Sequence, residues 1–175
     1  MQKKIAILGF RGVGKSTVSK LLGKLTGLPL YVLDSSIEVG EGKSIARIVE
    51  ETSWNHFRQL ELQYLKAQAD RDEVIVDCGG GVLEGADGAF SAEKAEILKR
   101  HFFCVYLYLP DAKLLTRLGK IKNKSSRPAL QGDLQKILEK RKPWFEQIAD
   151  VVINTDGMTP YRIANLVRKR LKKGA

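Results

Sequence analysis

The sequence predicts an α/β fold in three layers, α/β/α, with a parallel sheet between two sets of helices. Three observations lead there. Short apolar runs alternate with helical patterns from one end of the chain to the other. The runs are rich in Val, Ile, Leu and Phe without clean polar alternation, as strands buried on both faces are. The first run opens directly into Gly9-Phe10-Arg11-Gly12-Val13-Gly14-Lys15-Ser16, which fits the phosphate-loop pattern G-x-x-x-x-G-K-[ST].

Five strand candidates lie at 5–8, 30–33, 74–77, 102–109 and 151–154. Between them fall helical patterns near 15–26, 44–50, 54–69, 91–100, 111–118 and 133–148. A last helix near 160–172 carries Ile163, Leu166, Val167 and Leu171 at helical spacing. Ser35 with Glu38 reads as a capping box that opens a helix just after the second strand. Pro143 interrupts the pattern at 133–148 and is expected to kink that helix, aiming Arg141 inward. In such a fold, ligands bind at the carboxyl ends of the strands.

The chain has 175 residues, which suits one domain spanning 1–175 with a real core. Its apolar fraction of 43% and charged fraction of 29% are ordinary for a globular protein. No apolar run approaches the roughly 20 residues that cross a bilayer, so no membrane role is expected. Met1-Gln2-Lys3-Lys4 leads straight into the first strand, leaving no room for a signal peptide. Cys78 and Cys104 sit in or beside apolar runs and read as buried reduced thiols, which points to the cytoplasm.

The net charge is +10. After Asp156 there is no acid, and Arg162, Arg168, Lys169, Arg170, Lys172 and Lys173 crowd the end, as on a solvated final helix and tail. The aromatic-basic pattern of an RNA-recognition module is missing, so nucleic acid is not the expected partner. Polyanionic small molecules account for the remaining basic residues.

The phosphate loop supplies the first chemistry. Its glycines let consecutive N–H groups turn inward, and the following helix adds its positive dipole end. Gly12, Val13, Gly14, Lys15, Ser16 and Thr17 are the expected nucleotide-binding residues. Lys15 is placed to reach the β- and γ-phosphates, and the Ser16 hydroxyl to ligate Mg²⁺. A loop of this kind on so small a domain suggests a kinase of a small molecule.

The acceptor side should follow strands two and three. Asp34 can accept a hydrogen bond, and a proton, from an attacking hydroxyl. Taken alone, it fits a turn residue equally well. Arg58 and Glu61 are three apart and can pair on one helix face. They make either a surface ion pair or an arginine held ready for a carboxylate. Gly79-Gly80-Gly81 is costly in backbone entropy and suggests a close approach to the chain. Lys120 to Pro128 is polar and basic, the composition of a mobile lid over about 119–132, and Arg127 on it could stabilise transferring charge. His56 and His101 read as ordinary surface or packing residues.

Together these elements resemble the shikimate kinase family over nearly the whole chain. The elements that carry the likeness are the loop Gly9 to Ser16, Asp34 with Ile37-Glu38, and Phe57-Arg58-x-x-Glu61. Gly79-Gly80-Gly81, Arg127-Pro128 and Arg141-x-Pro143-x-Phe145-Glu146-x-Ile148-Ala149-Asp150 complete the series. The resemblance implies a nucleoside-monophosphate-kinase type of fold with a five-stranded parallel sheet. It implies ATP-dependent phosphorylation of the 3-hydroxyl of shikimate, with Mg²⁺ as cofactor and a monomer as the working form. It also assigns roles. Asp34 orients or deprotonates the acceptor hydroxyl, and Arg58 and Arg141 grip the carboxylate. Glu61 holds Arg58, and Gly79, Gly80 and Gly81 offer backbone groups to the ring hydroxyls. Lys15 and Arg127 neutralise the transferring phosphoryl group, and residues 154–160 resemble the family's adenine-side loop.

Two positions depart from the family pattern. Val32 stands where the family usually has an acid that supports the Mg²⁺ site, and Asp77, at the end of strand three, is the candidate replacement. Trp54-Asn55-His56 stands where the family usually has glycine and glutamate, so a reshaped acceptor pocket is expected. These departures leave two alternatives: a kinase of another small hydroxy acid such as gluconate, or a catalytically weak nucleotide-binding regulatory module.

Overall fold

The structure, a computed structural model, describes residues 3–120 and 134–173. Arg127 and most of the expected lid lie outside the described residues. Five strands form one parallel sheet in the order β2-β3-β1-β4-β5. They are β1 (Lys4–Leu8), β2 (Leu30–Val32), β3 (Val74–Asp77), β4 (Phe103–Tyr108) and β5 (Val151–Asn154). The helices are α1 (Lys15–Thr26), α2 (Leu33–Glu41), α3 (Ile45–Glu51), α4 (Trp54–Ala69), α5 (Ala92–His101), α6 (Asp111–Gly119), α7 (Leu134–Ile148) and α8 (Pro160–Lys173). Among the described residues, no helix is long and apolar enough to cross a membrane.

Both faces of the sheet are covered, which explains its unbroken apolar strands. Ala6, Leu8, Val74, Val76, Cys104 and Tyr106 share a core with Phe57, Leu65, Leu98 and Phe145 from α4, α5 and α7. Their neighbours along the strands, Ile5, Ile7, Ile75, Val105 and Leu107, turn to the other face. There they meet Val18, Leu22, Leu114, Ile163 and Val167 from α1, α6 and α8. These are the three layers expected. Cys78 and Cys104 are buried and unbridged, as expected.

One local expectation is corrected. Ser35 does not cap α2, because the helix already begins at Leu33 with Val32 as its N-cap and no capping side chain. Leu33 and Ile37 are fully buried one turn apart, and their packing carries the start of the helix three residues back. Glu38 is then free to accept from the Ile45 backbone N–H at 3.0 Å, tying α2 to the start of α3. The helix α7 continues through Pro143, and Arg141 is buried on its inner face.

This order sets β2, β3 and β1 side by side, from one edge of the sheet to its central strand β1. Their carboxyl ends release the phosphate loop, α2 and the triple glycine into one region.

Candidate active site

The phosphate loop leaves β1 through Gly9, at φ 139°, where a side-chain Cβ would lie 2.3 Å from the Leu107 carbonyl oxygen. Gly14, at φ 100°, caps α1 without any side-chain hydrogen bond, and the first turn of that helix holds no acid. The opening amides of α1 therefore face the site with their dipole and no competing carboxylate. Lys15 is buried, and its Nζ donates to the Phe10 carbonyl at 3.2 Å, which folds the side chain back over the loop.

Gly12, Gly14, Lys15, Ser16 and Thr17 line a cavity of about 270 Å³ with Val32, Asp34, Asp77 and Arg117. Val13 turns its side chain into the core beneath the loop instead. Asp77 is buried, and its strand partner across the β2–β3 ladder is Val32. An acid is thus present beside the position where the resemblance leads one to expect it.

A second, smaller cavity of about 60 Å³ adjoins the first and shares Arg11, Asp34, Gly79 and Gly80 with it. Its other walls include Ile45, Trp54, Phe57, Arg58, Glu61, Gly81 and Arg141. Asp34, in the first turn of α2, stands on the wall between the two.

The triple glycine is explained by contact. A Cβ on Gly79 would lie 2.5 Å from Asp34 Oδ1, and one on Gly80 would lie 3.0 Å from the Arg11 backbone nitrogen. On Gly81 it would lie 2.7 Å from Arg58 Nη2 and 3.1 Å from Arg141 Nη2. None of the three has a positive φ. The chain needs glycine here for space.

Arg58 and Glu61 are not a surface pair. Both are buried, and Arg58 Nη1 donates to Glu61 Oε2 at 3.0 Å. The guanidinium also lies 5.4 Å from the Trp54 ring centre and 5.3 Å from that of Phe57. Trp54 packs edge-on against Phe57, so the departure at 54–56 builds a wall of this second cavity and supports its arginine. His56 is exposed. Arg141 Nη1 donates to the Gly80 carbonyl at 3.2 Å, while its buried Nε has no hydrogen-bond partner among the described residues. Burial pulls the Arg141 pKa below its usual value, with Glu84 opposing.

Sequence reasoning missed two members of this network. Lys94 of α5 is fully buried, and its Nζ donates to Glu61 Oε2 at 2.6 Å and to the Glu84 carbonyl at 3.0 Å. Burial lowers its pKa from the lysine value, and Glu61 works the other way. Its position four residues before Leu98, on the apolar stripe of α5, was the available signal. Glu84 gave no signal, since its partners Arg58 and Arg141 lie 26 and 57 residues away. Arg11 and Arg117 also face the cavities without having been singled out for that role.

The fold and the paired cavities define a phosphate-loop kinase, a phosphotransferase that acts on a hydroxyl group of a small acceptor. The family model described as shikimate kinase matches residues 11–172. By that match the chain belongs to the shikimate kinase family. A shikimate kinase from Dehalococcoides mccartyi is 32% identical, over 98% of this chain and 95% of that protein. One from Persephonella marina is 34% identical over 97% and 99%. Among solved structures, shikimate kinase from Acinetobacter baumannii in complex with shikimate superposes with a TM-score of 0.87 at 27% identity, covering 99% of this chain and 95% of that one.

Proposed function

We propose that the chain, working as one kinase domain, transfers the γ-phosphoryl group of ATP to the 3-hydroxyl of shikimate. The observation that carries this reading is the shared wall. Asp34 stands between a cavity built for phosphates and a cavity ending in two buried arginines. A ring bearing a carboxylate at one end and hydroxyls at the other fits the acceptor side, with its acid on Arg58 and Arg141 and a hydroxyl at Asp34.

In this reading the opening amides of α1 and Lys15 hold the β- and γ-phosphates, and Lys15 offsets charge as the phosphoryl group moves. Asp34 accepts the proton of the attacking hydroxyl. Gly79, Gly80 and Gly81 let the acceptor lie directly on backbone. The Ser16 hydroxyl and the Asp77 carboxylate line the same cavity and are hard oxygen donors, which suits Mg²⁺. Bound there with the nucleotide, Mg²⁺ would neutralise phosphate charge. Arg127 is assigned to the transferring phosphoryl group by resemblance alone. The free, buried thiols fit a reducing cytoplasm.

A coupled ATP-consumption assay tests the proposal. ATP use should require both shikimate and Mg²⁺, and gluconate should not replace shikimate. Lys15→Ala should lower turnover by at least about a hundredfold. ATP use that ignores shikimate would remove this acceptor from consideration.

A further inference from the structure

The loop after the triple glycine carries a carboxylate that the proposed reaction does not use. Glu84 Oε2 accepts from Arg58 Nη2 at 2.7 Å and from Arg141 Nη2 at 2.6 Å. Its Oε1 faces Lys140 Nζ at 3.7 Å. Both arginines line the acceptor cavity and Glu84 does not, so it reaches them from outside that cavity. The buried network joins three cations, Arg58, Arg141 and Lys94, to two carboxylates, Glu61 and Glu84. One positive charge is left over for a ligand.

A carboxylate in this position has two opposite effects. It helps aim the guanidiniums, and it weakens their pull on a ligand's acid. The neighbours decide which effect wins. Without Glu84, Arg58 still has Glu61 at 3.0 Å and the Trp54 and Phe57 rings. Arg141 still has the Gly80 carbonyl at 3.2 Å and lies 5.8 Å from the Phe10 ring centre. Aim therefore survives its loss. What its loss removes is one of the network's two negative charges, and the acceptor that occupies one N–H of each arginine.

We propose that Glu84 is a built-in competitor for the arginine pair and sets acceptor specificity by loosening the grip on a carboxylate. Recognition then leans more on the acceptor's hydroxyls, at Asp34 and the glycines. The inference rests on the reading that the arginine pair is the acceptor's carboxylate site.

Calorimetric titration of the wild type and of Glu84→Gln with shikimate and with its methyl ester tests this. Glutamine keeps the shape and an acceptor oxygen while removing the charge. The variant should bind the acid at least about fivefold more tightly, and the uncharged ester should change by less than about twofold. Unchanged or weaker binding of the acid would make Glu84 a buttress and overturn the proposal. So would equal tightening of acid and ester. Should Glu84→Gln not fold, Glu84→Ala is read the same way. A wild type that neither binds nor phosphorylates shikimate counts against the proposed acceptor. Even then, a gain of acid binding in the variant supports the competitor role, and no gain rejects it.

Discussion

Val32 and Asp77 face each other across neighbouring strands, within about 5 Å by ordinary strand spacing. The acid that the resemblance leads one to expect at 32 has a counterpart at 77, aimed into the same cavity as Ser16. Asp77→Asn keeps the shape and removes the charge. It should raise the Mg²⁺ concentration for half-maximal activity by at least about fivefold, read from a metal titration of turnover. An unchanged requirement would make Asp77 a buried strand-end residue with no part in metal binding. Single residues were legible where their cost was local. Three glycines in a row announced a close approach, and the structure supplies its partners, Asp34, Arg11 and the two arginines. Glu84 carried no local cost and no spacing, so its contacts became visible only in three dimensions.

At the scale of elements, α4 and α5 are joined beside the cavity that holds Arg58 and Arg141 by Lys94 and Glu61. Burial works against the Lys94 charge, and Glu61 is its main compensation. Lys94→Ala leaves Glu61 buried with Arg58 as its remaining cationic partner and opens a gap at a fully buried position. A loss of about 3 kcal/mol is expected, measured by urea unfolding. A change below about 0.5 kcal/mol would show that the pair only breaks even with its desolvation. Strands and long helices were legible because apolar periodicity reports burial directly. The start of α2 was misread because a capping box is a local signal and the buried pair Leu33 and Ile37 outweighs it. The strand order was not legible, since it depends on which helices cover which face.

Across the whole molecule, the two thiols report on the integrity of the sheet. Cys78 follows β3 and Cys104 lies within β4. Burial pushes the Cys78 thiol far up and the Cys104 thiol up to about 12. In the unfolded chain both ionise near about pH 8.5. The native state therefore keeps its thiol protons while the unfolded state loses them. Their contribution to stability is whole below that pH and declines as pH rises above it. The urea midpoint should fall between pH 7.5 and pH 10, and fall less in Cys104→Ala. Maleimide at pH 8 should label neither thiol in the native protein and both in urea. Rapid native labelling would mean that the sheet opens.

Arg11, Asp34, Gly79 and Gly80 border both cavities, so anything filling one side rests on a surface that the other side also uses. Inhibitors aimed at the two sides are not independent drugs for this enzyme. A single compound with a polyphosphate at one end and a hydroxylated acid at the other would lose its freedom of motion once for both halves. The wall that the two cavities share sets how short its linker must be.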